Sequence, residues 1–212
     1  MAADNEFWTE PPEVLRLFPT FVLQCQLRPE IHRPIDAAIL DRLGQPPLDR
    51  GVAWQSGHQL HKLEELRGLV SCIHSAVDSV LAFLRIGHLE VSITGCWANV
   101  NAPAAEHRMH AHPNNFLSGV YYVQVQDGAD TIHFHDPRPQ SAVIRPPVIE
   151  LTAYNTDRVV VAVRTGTLVL FPAWLPHSVD ANQSERPRIS ISFNAMFAAF
   201  AETLGQPLWG EP

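Results

Sequence analysis

Cysteine is scarce in this chain and never clustered: Cys25, Cys72 and Cys96 are the 3 present in 212 residues, with no C-x-x-C. That spacing excludes a disulfide framework or a thiolate metal knuckle and predicts reduced, packed thiols, as in a cytoplasm. Positive charge is also short, with 15 Lys and Arg against 22 Asp and Glu for a formal charge of −7. A pI near 5.8 gives no electrostatic attraction to a polyanion, so nucleic acid is not an expected partner. No apolar run approaches the roughly 20 residues that a membrane-spanning helix needs. The opening M-A-A-D-N-E-F-W is acidic and lacks the apolar stretch of a signal peptide. The expectation is a soluble cytoplasmic protein with no membrane partner. What is present is core material: 46% hydrophobic residues and only 17% charged ones, too few charges for a disordered chain.

The pattern of those apolar residues changes period near Gly87. Before it, residues 14–27 read as a strand broken at Pro19, suited to a sheet edge. Residues 35–43 read as a short helix closed by Gly44 and Pro46-Pro47, and a loop or short strand surrounds Trp54. From 62 to 85, Leu63, Leu66, Val70, Ile73, Val77, Leu81 and Leu84 recur at three and four, predicting one long amphipathic helix packed on the outside of a sheet. Beyond Gly87 the period is two. Strands are expected at 89–101, 120–126, 131–135, 142–145, 149–154, 158–163, 167–172 and 188–194, separated by turns rich in Gly, Pro, Asn or Asp. A closing helix is expected at 197–204.

Many short strands with no helices between them predict an all-β sandwich or barrel rather than a parallel α/β sheet. A jelly roll with helices in front suits this order, so the fold expected is mainly β with flanking helices and a double-stranded β-helix, cupin-like core. It is read as one structural domain, with 1–88 as a supporting region, 89–196 as the metal-binding core and 197–212 as a short helix and tail.

Two histidines, His110 and His112, stand two apart ahead of a strand-like run, so in an extended chain both imidazoles face one point. His177, in F-P-A-W-L-P-H-S-V, supplies a third ligand from another strand. Three protein ligands leave open positions for substrate and dioxygen, as in non-haem iron oxygenases whose third ligand is a carboxylate. Strand alternation puts Arg188, Ser190, Ser192 and Asn194 on one face, and a guanidinium fork suits a carboxylate. His133 and His135 share the same spacing and form the rival pair, while His107 reads as a loop residue and Arg186, before Pro187, as a turn residue. Trp54, Trp97 and Trp174 read as packing.

H-A-H-P-N, S-G-V-Y-Y-V, G-T-L-V-L-F-P, P-H-S-V and R-I-S-I-S-F, in that order, resemble the prolyl-hydroxylase-like 2-oxoglutarate/Fe(II) oxygenases over residues 89–194. The resemblance implies metal binding by His110 and His177. It also implies pairing of Arg188 with the distal carboxylate of 2-oxoglutarate, with Ser190 as its R-x-S partner and Tyr122 donating its hydroxyl to the same carboxylate. Ser118 shares that face, and Asn99 and Asn101 occupy positions of polar cosubstrate contacts. The departure is His112, which stands where most of the family has Asp or Glu and leaves the metal one charge more positive. Glu106 or Asp136 would be candidates to supply the missing charge. The implied function is an Fe(II)/2-oxoglutarate-dependent hydroxylase that takes dioxygen and a small-molecule or peptide substrate. Two alternatives remain open on the residues alone: a non-catalytic cupin-like metal module, and a three-histidine dioxygenase that ignores 2-oxoglutarate. Oligomeric state is not readable.

Overall fold

Residues 8–44, 49–87, 90–138, 143–144 and 146–199 are described by the computed structural model. In chain order the elements are β1 (Leu23–Gln26), α1 (Pro29–Leu43), β2 (Ala53–Gln55), two 3₁₀ turns (Leu60–Lys62 and Glu64–Leu66) and α2 (Arg67–Phe83). There follow β3 (Val91–Asn101), β4 (His107–His110), β5 (Leu117–Gln124), β6 (Thr131–His135), β7 (Arg158–Ala162), β8 (Thr167–Pro172), β9 (His177–Val179) and β10 (Arg188–Phe197). Two sheets form, one in the order β1-β8-β5-β10-β3-β2 and the other β4-β9-β6-β7. The strands from β3 to β10 are thus shared between two facing antiparallel sheets, the double-stranded β-helix expected from the pattern.

The larger sheet is covered on both faces, so its central strands are apolar almost throughout. One face sends Leu117, Tyr121, Val123, Ile189, Ile191, Phe193 and Ala195 into a core shared with the helices. The opposite face sends Val120, Tyr122, Val169 and Phe171 toward Ile132 and Phe134 of the smaller sheet. Because side chains alternate along a strand, the polar residues of β5 and β10, Ser118, Arg188 and Ser190, all fall on that inner face and are all buried. A buried polar row between two sheets is costly unless something uses it.

α2 lays Leu69, Ile73, Ala76, Val77, Val80 and Leu81 on the sheet, and burying each large apolar side chain contributes about 1.5–3 kcal/mol. By length and composition, Glu64–Phe83 is apolar enough to cross a membrane, which the absence of a long unbroken apolar run did not suggest. Its apolar stripe is occupied by the sheet. α1 is held by a polar anchor: Asp36, 7% exposed, accepts hydrogen bonds from Tyr121 Oη at 2.6 Å and His32 Nδ1 at 2.8 Å. Burial pushes the Asp36 carboxyl up, against the lowering effect of those two partners.

Several expectations are corrected. Residues 14–22 form no strand: Val14, Leu15, Leu17 and Phe18 are exposed, and Phe18 has a positive φ of 55° that ends any extended run. The first helix starts at Pro29, where a proline suits the first turn, and runs through Pro34. The second begins only at Arg67 because Leu63 is extended and the segment before it is tied to β3, with Cys96 N–H donating to the His58 carbonyl at 3.0 Å. Residues 149–154 form a turn, in which Asn155 Oδ1 accepts from Thr152 N–H at 2.6 Å, a local bond that competes with strand pairing. Residues 143 and 144 are not in a strand, while 142 and 145 lie outside the described residues. Phe197 pairs with Val91 as the last residue of β10 rather than opening a helix; 200–204 lie outside the described residues, as do Pro46-Pro47.

Gly119 in β5 gives a stability test. A Cβ there would lie 2.7 Å from a Phe193 ring carbon and 2.8 Å from the Val169 carbonyl oxygen. Gly119→Ala should destabilise the protein by about 2–3 kcal/mol through overpacking, read as a lower urea midpoint with unchanged slope.

Candidate active site

His110 and His177 are directly opposite residues of the antiparallel pair β4–β9, an arrangement that brings Cβ atoms within about 5 Å of each other. His112 follows β4 and is pinned by its own N–H, which donates to the Ala173 carbonyl at 2.9 Å. Their ligand nitrogens all lie within 4.8 Å of one another. The three residues picked from sequence spacing therefore converge. Exposure rises outward: His177 is buried, His112 half-buried and His110 exposed, so the cluster sits at the mouth of the space between the sheets.

The protonation states suit a metal. His110 Nδ1–H donates to the Arg108 carbonyl at 2.7 Å, and His177 Nδ1–H donates to the Leu175 carbonyl at 3.0 Å. A carbonyl can only accept, so in both rings the proton is on Nδ1 and the Nε2 lone pair is free. Burial lowers the His177 pKa to about 3, with the other site histidines lowering it further against the Leu175 hydrogen bond. Burial and then His110 lower that of His112 to about 4, against a hydrogen bond to Asn194. Neutral imidazole is the ligating form, so the donor set fits a divalent ion such as Fe(II) or Zn(II).

The sign of the pH effect follows. The unfolded chain binds protons on these rings near pH 6.5 and the folded one only near pH 3–4, so stability is complete above about 6.5 and is lost as pH falls. Metal-free protein should lose on the order of 2 kcal/mol or more between pH 7 and pH 5, measured by urea unfolding at the two values.

One pocket joins the histidines to the inner face of the large sheet. Trp97, Asn99, Ser118, Arg188, Ser190 and His107 are among its lining residues. Arg188, 4% exposed, donates from Nη1 to the Thr131 carbonyl at 3.2 Å, and its guanidinium lies 5.2 Å from the centre of the Tyr122 ring. Among the described residues, Arg188 Nε and Tyr122 Oη are buried without a hydrogen-bond partner. Burial lowers the Arg188 pKa while Tyr122 and Asp130 act to raise it, and burial holds the Tyr122 phenol protonated. A buried guanidinium that lines the pocket with Nε idle has the chemistry to take a carboxylate.

The other expected contacts are more occupied. Ser118 Oγ donates to Asn194 Oδ1 at 2.7 Å. Asn99 donates to Ser192 Oγ and accepts from Gln55 Nε2, each at 2.8 Å. Asn101 Oδ1 accepts from His107 Nε2 at 2.9 Å. His107 is therefore not a loop residue: it opens β4, lines the pocket, and has its pKa lowered to about 4 by burial, then by Arg188 and His110. Trp97, read as packing, also lines the pocket and lies against His112 with ring centroids 5.9 Å apart. Alternation on β3 puts Trp97 on one face with Asn99 and Asn101, while a register shift between His107 and His110 brings His107 to the same pocket against strand parity. Trp54 packs on the core as expected, whereas Trp174 is exposed.

Neither carboxylate considered as a replacement for the missing charge is at the metal cluster. Glu106 pairs with Arg108 at 3.6 Å, and Asp136 accepts from the Arg138 guanidinium at 2.9 and 2.8 Å and from its backbone N–H at 3.0 Å. Among the described residues no acid joins the three imidazoles. The rival histidines are separate, with His133 Nδ1 3.5 Å from Asp180 and His135 Nε2 2.8 Å from Ser178 Oγ.

Residues 95–194 match the family described as "Putative 2OG-Fe(II) oxygenase". No curated protein sequence matches the chain. Among solved structures, the fold is similar to that of SnoN, a non-haem α-ketoglutarate-dependent epimerase from nogalamycin biosynthesis. That match has 14% identity and a TM-score of 0.60 over 84% of this chain and 79% of that one. A Pseudomonas putida prolyl-4-hydroxylase is 16% identical, with a TM-score of 0.57 over 84% and 92% of the two chains. HygX from Streptomyces hygroscopicus, solved with nickel and 2-oxoglutarate bound, is 13% identical, with a TM-score of 0.56 over 84% and 83%.

Proposed function

We propose that the 2OG-Fe(II) oxygenase core at residues 95–194 is catalytically competent in this chain, oxidising a carbon centre of a small-molecule or peptide substrate. The observation that carries the reading is the buried guanidinium of Arg188, which lines the same pocket as the three histidines and leaves Nε without a partner. In this reading His110, His112 and His177 hold Fe(II) through Nε2 of at least the first and last. Arg188, with Tyr122 Oη, takes the distal carboxylate of 2-oxoglutarate, and Ser190 and Ser118 line the same wall. When bound, iron and 2-oxoglutarate together supply the oxidising chemistry, in which dioxygen is consumed and 2-oxoglutarate becomes succinate and carbon dioxide.

The chain's own contribution is placement. The guanidinium fixes the cosubstrate's far end and so sets which end faces the metal. Val120, Ile132 and Phe171 form an apolar wall along the pocket, which strengthens each of these polar contacts by excluding water. The backbone bonds from His110 and His177 hold the ligand rings in one tautomer.

The test is uncoupled turnover: Fe(II)-loaded protein in air should convert 2-oxoglutarate to succinate, and Arg188→Ala should not. Cosubstrate that binds yet is recovered intact would reassign the chain as a non-catalytic metal module. The absence of a carboxylate ligand favours one second reading, a three-histidine dioxygenase that coordinates its substrate directly. It predicts iron-dependent oxygen uptake that is indifferent to 2-oxoglutarate.

A further inference from the structure

Charge is the feature of this pocket that the proposed function leaves unsettled, and the inference drawn from it rests on that reading. Among the described residues, those lining the pocket include one guanidinium, Arg188, and no aspartate or glutamate. The histidines contribute no charge in their ligating form. A divalent metal and Arg188 therefore bring three positive charges, and 2-oxoglutarate returns two negative ones. Asp130 acts on Arg188 electrostatically but does not line the pocket. A carboxylate ligand at position 112 would cancel the remaining charge, and His112 does not.

A surplus charge in a pocket with apolar walls is expensive unless an anion shares the space. The structure also leaves a donor on that side. Trp97 stands against His112 and lines the pocket, is 7% exposed, and its indole Nε1–H is buried with no partner among the described residues. It is backed on its other side by His58, whose ring stacks on it with centroids 4.7 Å apart. An acceptor seated beside this buried N–H would satisfy it.

We propose that the substrate of this chain is an anion bearing a carboxylate, which seats beside His112, accepts from Trp97 Nε1–H and replaces the negative charge that the ligand set lacks. Trp97 is then a specificity-determining residue, and His112 sets the charge of the substrate that the site accepts.

The experiment uses the full chain loaded anaerobically with Fe(II) and 2-oxoglutarate, whose chelate gives a weak visible absorption band. Sodium acetate, as the carboxylate probe, is titrated in parallel with sodium chloride at constant ionic strength. Acetate should shift the band saturably without bleaching it, and chloride should not match it. In His112→Asp, where the protein supplies the charge itself, acetate affinity should fall by about ten-fold or more. Trp97→Phe keeps a ring against His112 and removes the N–H; it should weaken acetate by about ten-fold while leaving the 2-oxoglutarate band in place.

An acetate response that is absent, or the same in His112→Asp, overturns the proposal. So does an acetate response that survives Trp97→Phe unchanged. Bleaching would show acetate competing for the cosubstrate's seat, and a response to chloride alone would assign the space to a small inorganic anion; either result also overturns it. Failure of the band to form before any acetate is added is a different result, which removes the proposed function and the inference with it.

Discussion

His177→Ala should leave the protein folded and without metal. His177 faces His110 across β4–β9, is 5% exposed, and has its Nδ1–H committed to the Leu175 carbonyl, so its free nitrogen has no evident use other than a metal. Losing a supporting hydrogen-bond partner at such a site costs about 10–100-fold in metal affinity, and losing a ligand should cost more. The ring also packs on Phe171 at 4.7 Å, so the alanine leaves a cavity and the metal-free variant should melt somewhat lower. Metal content per chain after Fe(II) or Zn(II) loading, read beside far-UV circular dichroism, separates the two effects. Full metal retention in a folded variant would move the site elsewhere. His133 and His135 would be the next residues to test, although among the described residues they form no ligand cluster.

Arg188→Met has the second large expected effect, and its two halves run in opposite directions. Methionine keeps much of the unbranched stem but removes the charge and the fork. Loss of a buried charge partner typically costs about 2–5 kcal/mol, so 2-oxoglutarate should bind at least about 30-fold more weakly while metal binding is unchanged. The unliganded fold should not suffer in proportion. Arg188 is buried with Nε unpartnered, and replacing a poorly satisfied buried charge by an apolar residue is often neutral or stabilising. Calorimetric titration of the cosubstrate and urea unfolding of the unliganded variant check both halves. Unchanged cosubstrate affinity would remove Arg188 from the site; collapse of the fold would make it a structural residue.

How much of this was legible follows from which residues obey local rules. The inner face of the site was readable because side chains keep alternating along β5 and β10 even where the pairing of β10 shifts register, so alternation alone aligned Ser118 with Tyr122 and Arg188 with Ser190. Spacing likewise found His110, His112 and His177, though not that β4 and β9 would set two of them directly opposite each other. What resisted reading depends on distant partners. Residues 14–22 look apolar enough for a strand but have no edge to join, and the helix read from residue 62 gave way to bonds between residues 56–59 and β3. His107 and Trp97 were read as loop and packing because nothing local distinguishes a ring against the core from a ring against a pocket. The missing carboxylate was visible as His112; that neither Glu106 nor Asp136 replaces it was not, since their partners Arg108 and Arg138 had to be seen.

Anaerobic titration of the Fe(II)-loaded protein with 2-oxoglutarate asks whether one pocket holds iron and 2-oxoglutarate together. A saturable visible band is expected in the wild type and should be lost in His177→Ala for want of metal. In Arg188→Met the band should saturate only at far higher cosubstrate concentration. Iron demonstrably bound with no band at any 2-oxoglutarate concentration would mean that the pocket does not hold the two together.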